Sequence, residues 1–161
     1  MTNHCGTCTA CCRIFDIPEL EKPAGKWCEH CEIGRGCSIY DSRPQMCRDY
    51  ECLWLQAQQK GNFPLMGPEA RPDKCKVVFT PTTNETIIAA ITMPHAPDAW
   101  MRGAAKNVVE QLVRGGMAVV AGTPTSTRRT MIDKDGTHEV RLTEPDPVTG
   151  MQYNIQDEEQ P

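Results

Sequence analysis

The sequence predicts an α+β fold: a cysteine-rich N-terminal region packed on a small antiparallel sheet with one long helix. Three observations predict it. Nine of the ten cysteines lie at or before Cys52, and only Cys75 lies beyond. β-branched runs at 76–80, 86–93, 117–121, 129–133 and 137–142 follow. Between them lies one clearly amphipathic stretch, in which Trp100, Ala104, Val108 and Leu112 recur every four residues.

The elements follow in order. Residues 1–41 are rich in Gly, Pro and Cys with little apolar periodicity, so secondary structure there is expected to be sparse. From Ser42, a capping residue followed by Arg43 and Pro44, the pattern Met46, Tyr50, Leu53, Trp54, Ala57 predicts one continuous helix ending by Gly61. Pro64, Gly67, Pro68 and Pro72 then break the chain. The runs 76–80 and 86–93, separated by Pro-Thr-Thr-Asn-Glu, predict a hairpin with a longer loop. Asp98 is the expected cap of the Trp100 helix, which Gly115-Gly116 stops. Asp135-Gly136 marks a tight hairpin between 129–133 and 137–142. The chain therefore divides into a cysteine-rich region at 1–60, a small α+β region of the same domain at 61–143, and a flexible tail at 144–161 dominated by Pro, Gly and acidic residues.

At 161 residues and a formal charge of −4, the chain supports one compact domain and has no global attraction to phosphate backbones. The only basic features are Thr127-Arg128-Arg129-Thr130 and Lys106 with Arg102 and Arg114, which read as solvated faces. Nucleic-acid binding is not expected. The N-terminus has no basic n-region or apolar h-region, and no stretch approaches the roughly 20 apolar residues of a membrane span. A cytoplasmic location is the expectation, and in a reducing compartment cysteine-rich chains favour metal or redox chemistry over disulfides.

The cysteines carry the chemistry. Cys5-Gly-Thr-Cys8-Thr-Ala-Cys11-Cys12 is followed by Cys28-Glu-His-Cys31, then Gly36-Cys37, Cys47 and Cys52. Two-residue spacing lets both sulfurs of a pair reach one ion from a tight turn, and such steps recur here, which points to thiolate metal binding. Adjacent Cys11 and Cys12 do not easily sit symmetrically on one tetrahedral ion, so the spacing admits two sites, or one site plus spare thiols. On a regular helix Cys47 and Cys52 stand roughly 140° apart and do not share an ion; Cys47, in the first turns, is the better ligand of the two. Arg13, Arg35, Arg43 and Arg48 are available to offset thiolate charge.

These residues resemble the YkgJ-like, or CxxCxxCC, family of zinc- or iron-chelating proteins of bacteria. Cys5 to Cys12 match its first motif, and Cys28, Gly36-Cys37-Ser-Ile-Tyr40, then Arg43-Pro44-Gln-Met-Cys47-Arg48 match its second. Together they span about the first third of the chain, and Arg71-Pro72-Asp73-Lys74 with Val77-Val78-Phe79 extend the likeness more loosely. The resemblance implies a metal site at Cys5, Cys8, Cys11, Cys12, Cys28, Cys37 and Cys47. Cys31 departs from the pattern, where the family often has an apolar residue.

Two metal-based functional classes follow, beside a third, an interaction module whose α+β half binds a protein or nucleic acid while the metal merely braces it. The first is a zinc-binding protein with a metal-stabilised N-terminal region. The second is an iron–sulfur redox protein or enzyme component, since Cys5-x-x-Cys8-x-x-Cys11 resembles a cluster-binding run with a remote fourth thiol. No nucleophile–base pair, phosphate loop or dinucleotide loop is present, so the sequence names a metal and no reaction.

Overall fold

The computed structural model describes residues 5–61, 66–142 and 156–157. The fold is α+β. Its elements are α1 (Ala10–Ile14), β1 (Cys31–Glu32), β2 (Gly36–Cys37), α2 (Gln45–Asp49), α3 (Leu53–Lys60), α4 (Pro72–Cys75), β3 (Val77–Pro81), β4 (Ile87–Thr92), α5 (Gly103–Arg114), β5 (Ala118–Gly122), β6 (Arg128–Asp133), β7 (Gly136–Arg141) and β8 (Gln156–Asp157). β1 and β2 form a two-stranded hairpin, and β3 to β8 form one sheet in sequence order.

The sheet is mixed rather than wholly antiparallel. β4 and β5 run parallel, with Ala89 opposite Val120, while each other neighbouring pair is antiparallel. The reason is α5, which carries the chain back over the sheet between β4 and β5, as parallel neighbours require. Its apolar stripe, Ala105, Val108 and Val109, is buried against the sheet. This helix starts at Gly103, later than expected: Ala99–Met101 form a 3-10 turn, and extended Arg102 separates it from α5. Trp100 therefore packs against the core from outside the helix.

Side-chain alternation gives the sheet two buried faces. Val77 and Phe79 of β3, Ile88 and Ala90 of β4, and Val119 and Ala121 of β5 meet α5 and part of α3 on one face. Val78, Ala89 and Ile91 point to the other, where Ile14, Phe15 and Ile17 cover them. The cysteine-rich region thus borrows the second face of the sheet as its core. Each fully buried Ile or Phe contributes on the order of 1.5–3 kcal/mol, so three such residues anchor a segment with little regular structure of its own.

The predicted single helix over 44–60 is broken. α2 ends at Asp49, Tyr50 is extended, and Cys52 occupies the N-cap position of α3. The break turns Tyr50 toward the core, where its ring meets Phe15 edge-on at 4.4 Å and its hydroxyl stands 2.6 Å from that of Thr80. Asp49 and Glu51 explain why the chain yields there: acidic groups oppose the C-terminal end of a helix dipole and favour the start of the next. The 140° relation between Cys47 and Cys52 falls with the continuous helix.

The hairpins form as expected, with Asp135 N–H bonded to the Asp133 carboxylate in the turn between β6 and β7. Arg129, expected on a solvated face, is buried, and its Nε donates to the Ser126 carbonyl at 2.8 Å. Its side chain crosses Gly122 so closely that a Cβ there would meet Arg129 Cδ at 2.1 Å. The expected tail lies outside the described residues, except for Gln156–Asp157, which pair with β7. Among the described residues no helix is long and apolar enough to cross a membrane.

Candidate metal centre

Three separate segments bring cysteines to one place. The first begins as a turn in which Cys8 N–H bonds to the Cys5 carbonyl and continues into α1 with Cys11 and Cys12. Cys28 is tied to α1 through its N–H, which donates to the Cys12 carbonyl at 3.0 Å. The β1–β2 hairpin places Cys31 directly opposite Cys37. α2 supplies Cys47, whose N–H bonds to the Pro44 carbonyl.

All seven cysteines singled out from the sequence, Cys5, Cys8, Cys11, Cys12, Cys28, Cys37 and Cys47, line one cavity of about 430 Å³. Phe15, Ile17, Leu20, Ile39, Met46 and Tyr50 supply apolar wall between them, and Arg35 and Arg43 reach it as well. Of the four arginines considered as charge partners, these two line the cavity. Arg43 also lies over the Tyr40 ring at 3.7 Å, and Arg48 is committed to the carbonyls of Arg43 and Asp41. Arg13 instead lies over Trp27 and donates to the Gly25 carbonyl.

The first cysteine turn is held from outside by α4. Arg71 pairs with Asp73 through two 2.6 Å contacts and donates to the Thr7 hydroxyl at 3.1 Å. Burial opposes the Asp73 charge, yet Arg71 holds the carboxyl below its ordinary value. The backbone N–H groups of Ala10 and Asp73 both face the Cys8 thiol and favour its thiolate, although burial leaves its pKa raised. On the other side, the Thr9 hydroxyl accepts the Gly34 N–H at the tip of the β1–β2 hairpin.

The thiols perturb one another. Cys12 is lowered to about 6, chiefly because the Cys11 thiol hydrogen-bonds to it, with burial opposing and the Cys31 thiol and Lys22 ammonium adding to the effect. Cys11 is correspondingly raised well above its ordinary value by that same hydrogen bond and by burial. Cys31 is pushed up to about 12 by burial, then by Cys12. Lys22 is a cation whose charge acts on Cys12. It is 5 % exposed, its own pKa is lowered by burial, and its ammonium donates to the carbonyls of Arg13 and Phe15 at the end of α1.

Cys52 lies outside the cavity wall but inside the same apolar cluster as Cys5, Cys8 and Cys11. Burial pushes it up to about 12, against the pull of the Leu55 and Trp54 N–H groups at the start of α3. Sequence reasoning ranked it below Cys47 because the helix break was not foreseen; the acidic pair Asp49 and Glu51 was the available signal. Cys75 is apart from the group: its thiol donates to the Ala70 and Val77 carbonyls beneath α5.

All ten cysteines are free thiols. Among the described residues no three His, Cys, Asp or Glu side chains already converge as the donors of one ion. The sulfurs surround a common space rather than a common point, and the donor set, soft sulfurs in a largely apolar wall, suits zinc, iron or an iron–sulfur cluster. No family model, curated protein or solved structure matches the chain.

Proposed function

We propose that the protein is a thiolate metal-binding protein, related to the YkgJ-like chelating family, that holds zinc in its cysteine cavity and acts in the cytoplasm. The observation that carries this reading is the assembly of Cys5, Cys8, Cys11, Cys12, Cys28, Cys37 and Cys47 around one cavity from segments far apart in sequence. An inert role as small buried apolar groups does not require seven thiols to face a shared space.

Bound zinc would supply a cross-link between the first turn, the β1–β2 hairpin and α2. The chain's residues prepare for this. Lys22 sets cationic charge beside Cys12, the Arg71–Asp73 pair fixes the turn bearing Cys8, and Phe15 with Tyr50 seats the cavity on the sheet.

A second reading, an iron–sulfur centre, is favoured by the size of the cavity. Four sulfurs about 2.3 Å from one zinc ion enclose little free space, whereas about 430 Å³ leaves room for inorganic sulfide as well. The two readings separate on iron and acid-labile sulfide. For the zinc reading, the metal-free, reduced protein is titrated with zinc against a chromophoric chelator. The Cys11→Ser, Cys37→Ser double variant is expected to lose zinc binding, and full zinc stoichiometry in that variant would refute the proposal.

A further inference from the structure

We propose that Cys31 and Cys37 are a peroxide-oxidised thiol pair, which closes into a disulfide across the β1–β2 hairpin and so withdraws Cys37 from the metal site. This rests on the metal-binding reading above and adds to it a modification site and a signal that loosens the metal.

The hairpin register carries the pairing. Cys31 and Cys37 stand directly opposite each other on antiparallel strands, so both side chains leave the same face. The Ser38 N–H donates to the His30 carbonyl at 2.8 Å. Hydrogen-bonded pairs alternate with non-hydrogen-bonded ones along such a ladder, which makes Cys31 and Cys37 a non-hydrogen-bonded pair. In that arrangement the Cα atoms are about 4.5 Å apart and the side chains approach most closely. The spacing lies inside the roughly 4.4–6.8 Å over which a disulfide closes without backbone movement.

The backbone holds this register before any bond forms. The Arg35 N–H bonds to the Glu32 carbonyl at 2.8 Å across the turn, and the Gly34 N–H at the tip donates to the Thr9 hydroxyl at 3.2 Å. Because the loop is already closed and short, bridging it costs little further chain entropy.

Access and position single out Cys31. Of the nine cysteines up to Cys52, Cys31 and Cys52 are the two that do not line the cavity. Cys52 is 8 % exposed inside the apolar cluster, whereas Cys31 and Cys37 are both partly exposed and open to a small oxidant. The pair therefore couples a thiol outside the proposed ligand set to one inside it. Two other thiols stand near Cys31. Its side chain touches Cys12, and its N–H bonds to the Cys28 carbonyl at 3.1 Å. Cys28 is buried, and Cys12 belongs to α1, which shares no strand register with β1. A turn about χ1 carries the Cys31 sulfur from Cys12 toward Cys37 with the backbone in place.

The oxidant is a peroxide. One sulfur attacks a peroxide oxygen, the O–O bond breaks, and a sulfenic acid and water form. The second sulfur attacks the sulfenic sulfur, the S–O bond breaks, and a second water leaves with the remaining thiol proton. Two R–SH and one H₂O₂ thus give RS–SR and two H₂O, with two electrons passing from sulfur to oxygen. Where Cys37 is a metal-bound thiolate, its metal–sulfur bond breaks as well and hydroxide replaces one of the waters.

The test treats the reduced protein, metal-free and zinc-loaded, with stoichiometric hydrogen peroxide. Remaining thiols are alkylated, and disulfide-linked peptides are identified by fragmentation mass spectrometry. In the metal-free protein the expected bridge is Cys31–Cys37. A map in which Cys31 joins Cys12 or Cys28, or stays a free thiol, would overturn the proposal. In the zinc-loaded protein, peroxide is expected to release zinc to a chromophoric chelator and a thiol reductant to restore it. Cys31→Ser is expected to bind zinc as the wild type does and to lose the reductant-reversible release. Unchanged reversible release in that variant would overturn the proposal, as would a wild type that keeps its zinc with the bridge closed. The metal-free map needs no variant, so it decides the pairing even where Cys31→Ser fails to fold. Failure of the reduced wild type to take up zinc would instead defeat the metal reading, and the map would still decide the pairing.

Discussion

The Tyr50 hydroxyl and the Thr80 hydroxyl lie 2.6 Å apart, joining the gap between α2 and α3 to the first strand of the main sheet. This contact fixes the break that separates Cys47 from Cys52. Tyr50→Phe keeps the ring against Phe15 and leaves one hydroxyl without its partner. We expect a loss of about 0.5–1.5 kcal/mol in urea unfolding of the metal-free protein. A variant as stable as wild type would show that the break is held by ring packing alone.

Ile14 is fully buried where α1 meets the second face of the sheet. Ile14→Ala leaves a cavity under the helix that carries Cys11 and Cys12, and we expect it to cost about 2–5 kcal/mol. Zinc affinity should fall with stability, since α1 would no longer be seated, whereas Ile14→Val should retain most of both. Chemical denaturation and chelator competition on the two variants check this.

Lys22 donates to two carbonyls at the end of α1 and sets its charge beside the Cys12 thiol. Lys22→Met preserves much of the apolar stem and removes the donor. The expected loss is roughly 1.5–3 kcal/mol, the range for a charge-assisted hydrogen bond. Urea unfolding under reducing conditions reads it, and a neutral result would contradict the placement of the ammonium.

Cys75 gives a pH prediction clear of the cavity. Burial pushes its thiol up to about 11 from an ordinary value of 9.0. Because the folded state favours the neutral form, its contribution is fully present below pH 9 and is lost as pH rises from 9 through 11. Wild-type stability should therefore fall more steeply across that window than that of Cys75→Ala, measured as unfolding midpoints at half-unit pH steps. Parallel curves would contradict the burial of this thiol.

Much of this architecture is legible in the sequence because its signals are local. Continuous β-branched runs mark β3 and β4, and Asp135-Gly136 marks the β6–β7 turn. The parallel pairing of β4 with β5 is less legible, since nothing in either strand encodes the direction of its neighbour; the α5 crossover between them does. Spacing marks a cluster of nine cysteines up to Cys52, and the seven that line the cavity are those the family resemblance implies. The place of Cys52 could not be read, because its position depends on Tyr50 turning inward to Phe15 and Thr80, a long-range choice. The buried path of Arg129 over Gly122 is tertiary for the same reason.

The most direct test of the central claim is metal analysis of the protein purified without oxygen and without added metal, with zinc, iron and acid-labile sulfide counted per chain. The account predicts tightly held zinc with no visible absorption, retained through gel filtration and released by thiol alkylation. Protein that carries no zinc, iron or sulfide, and takes up none when zinc is supplied to its reduced thiols, would contradict it.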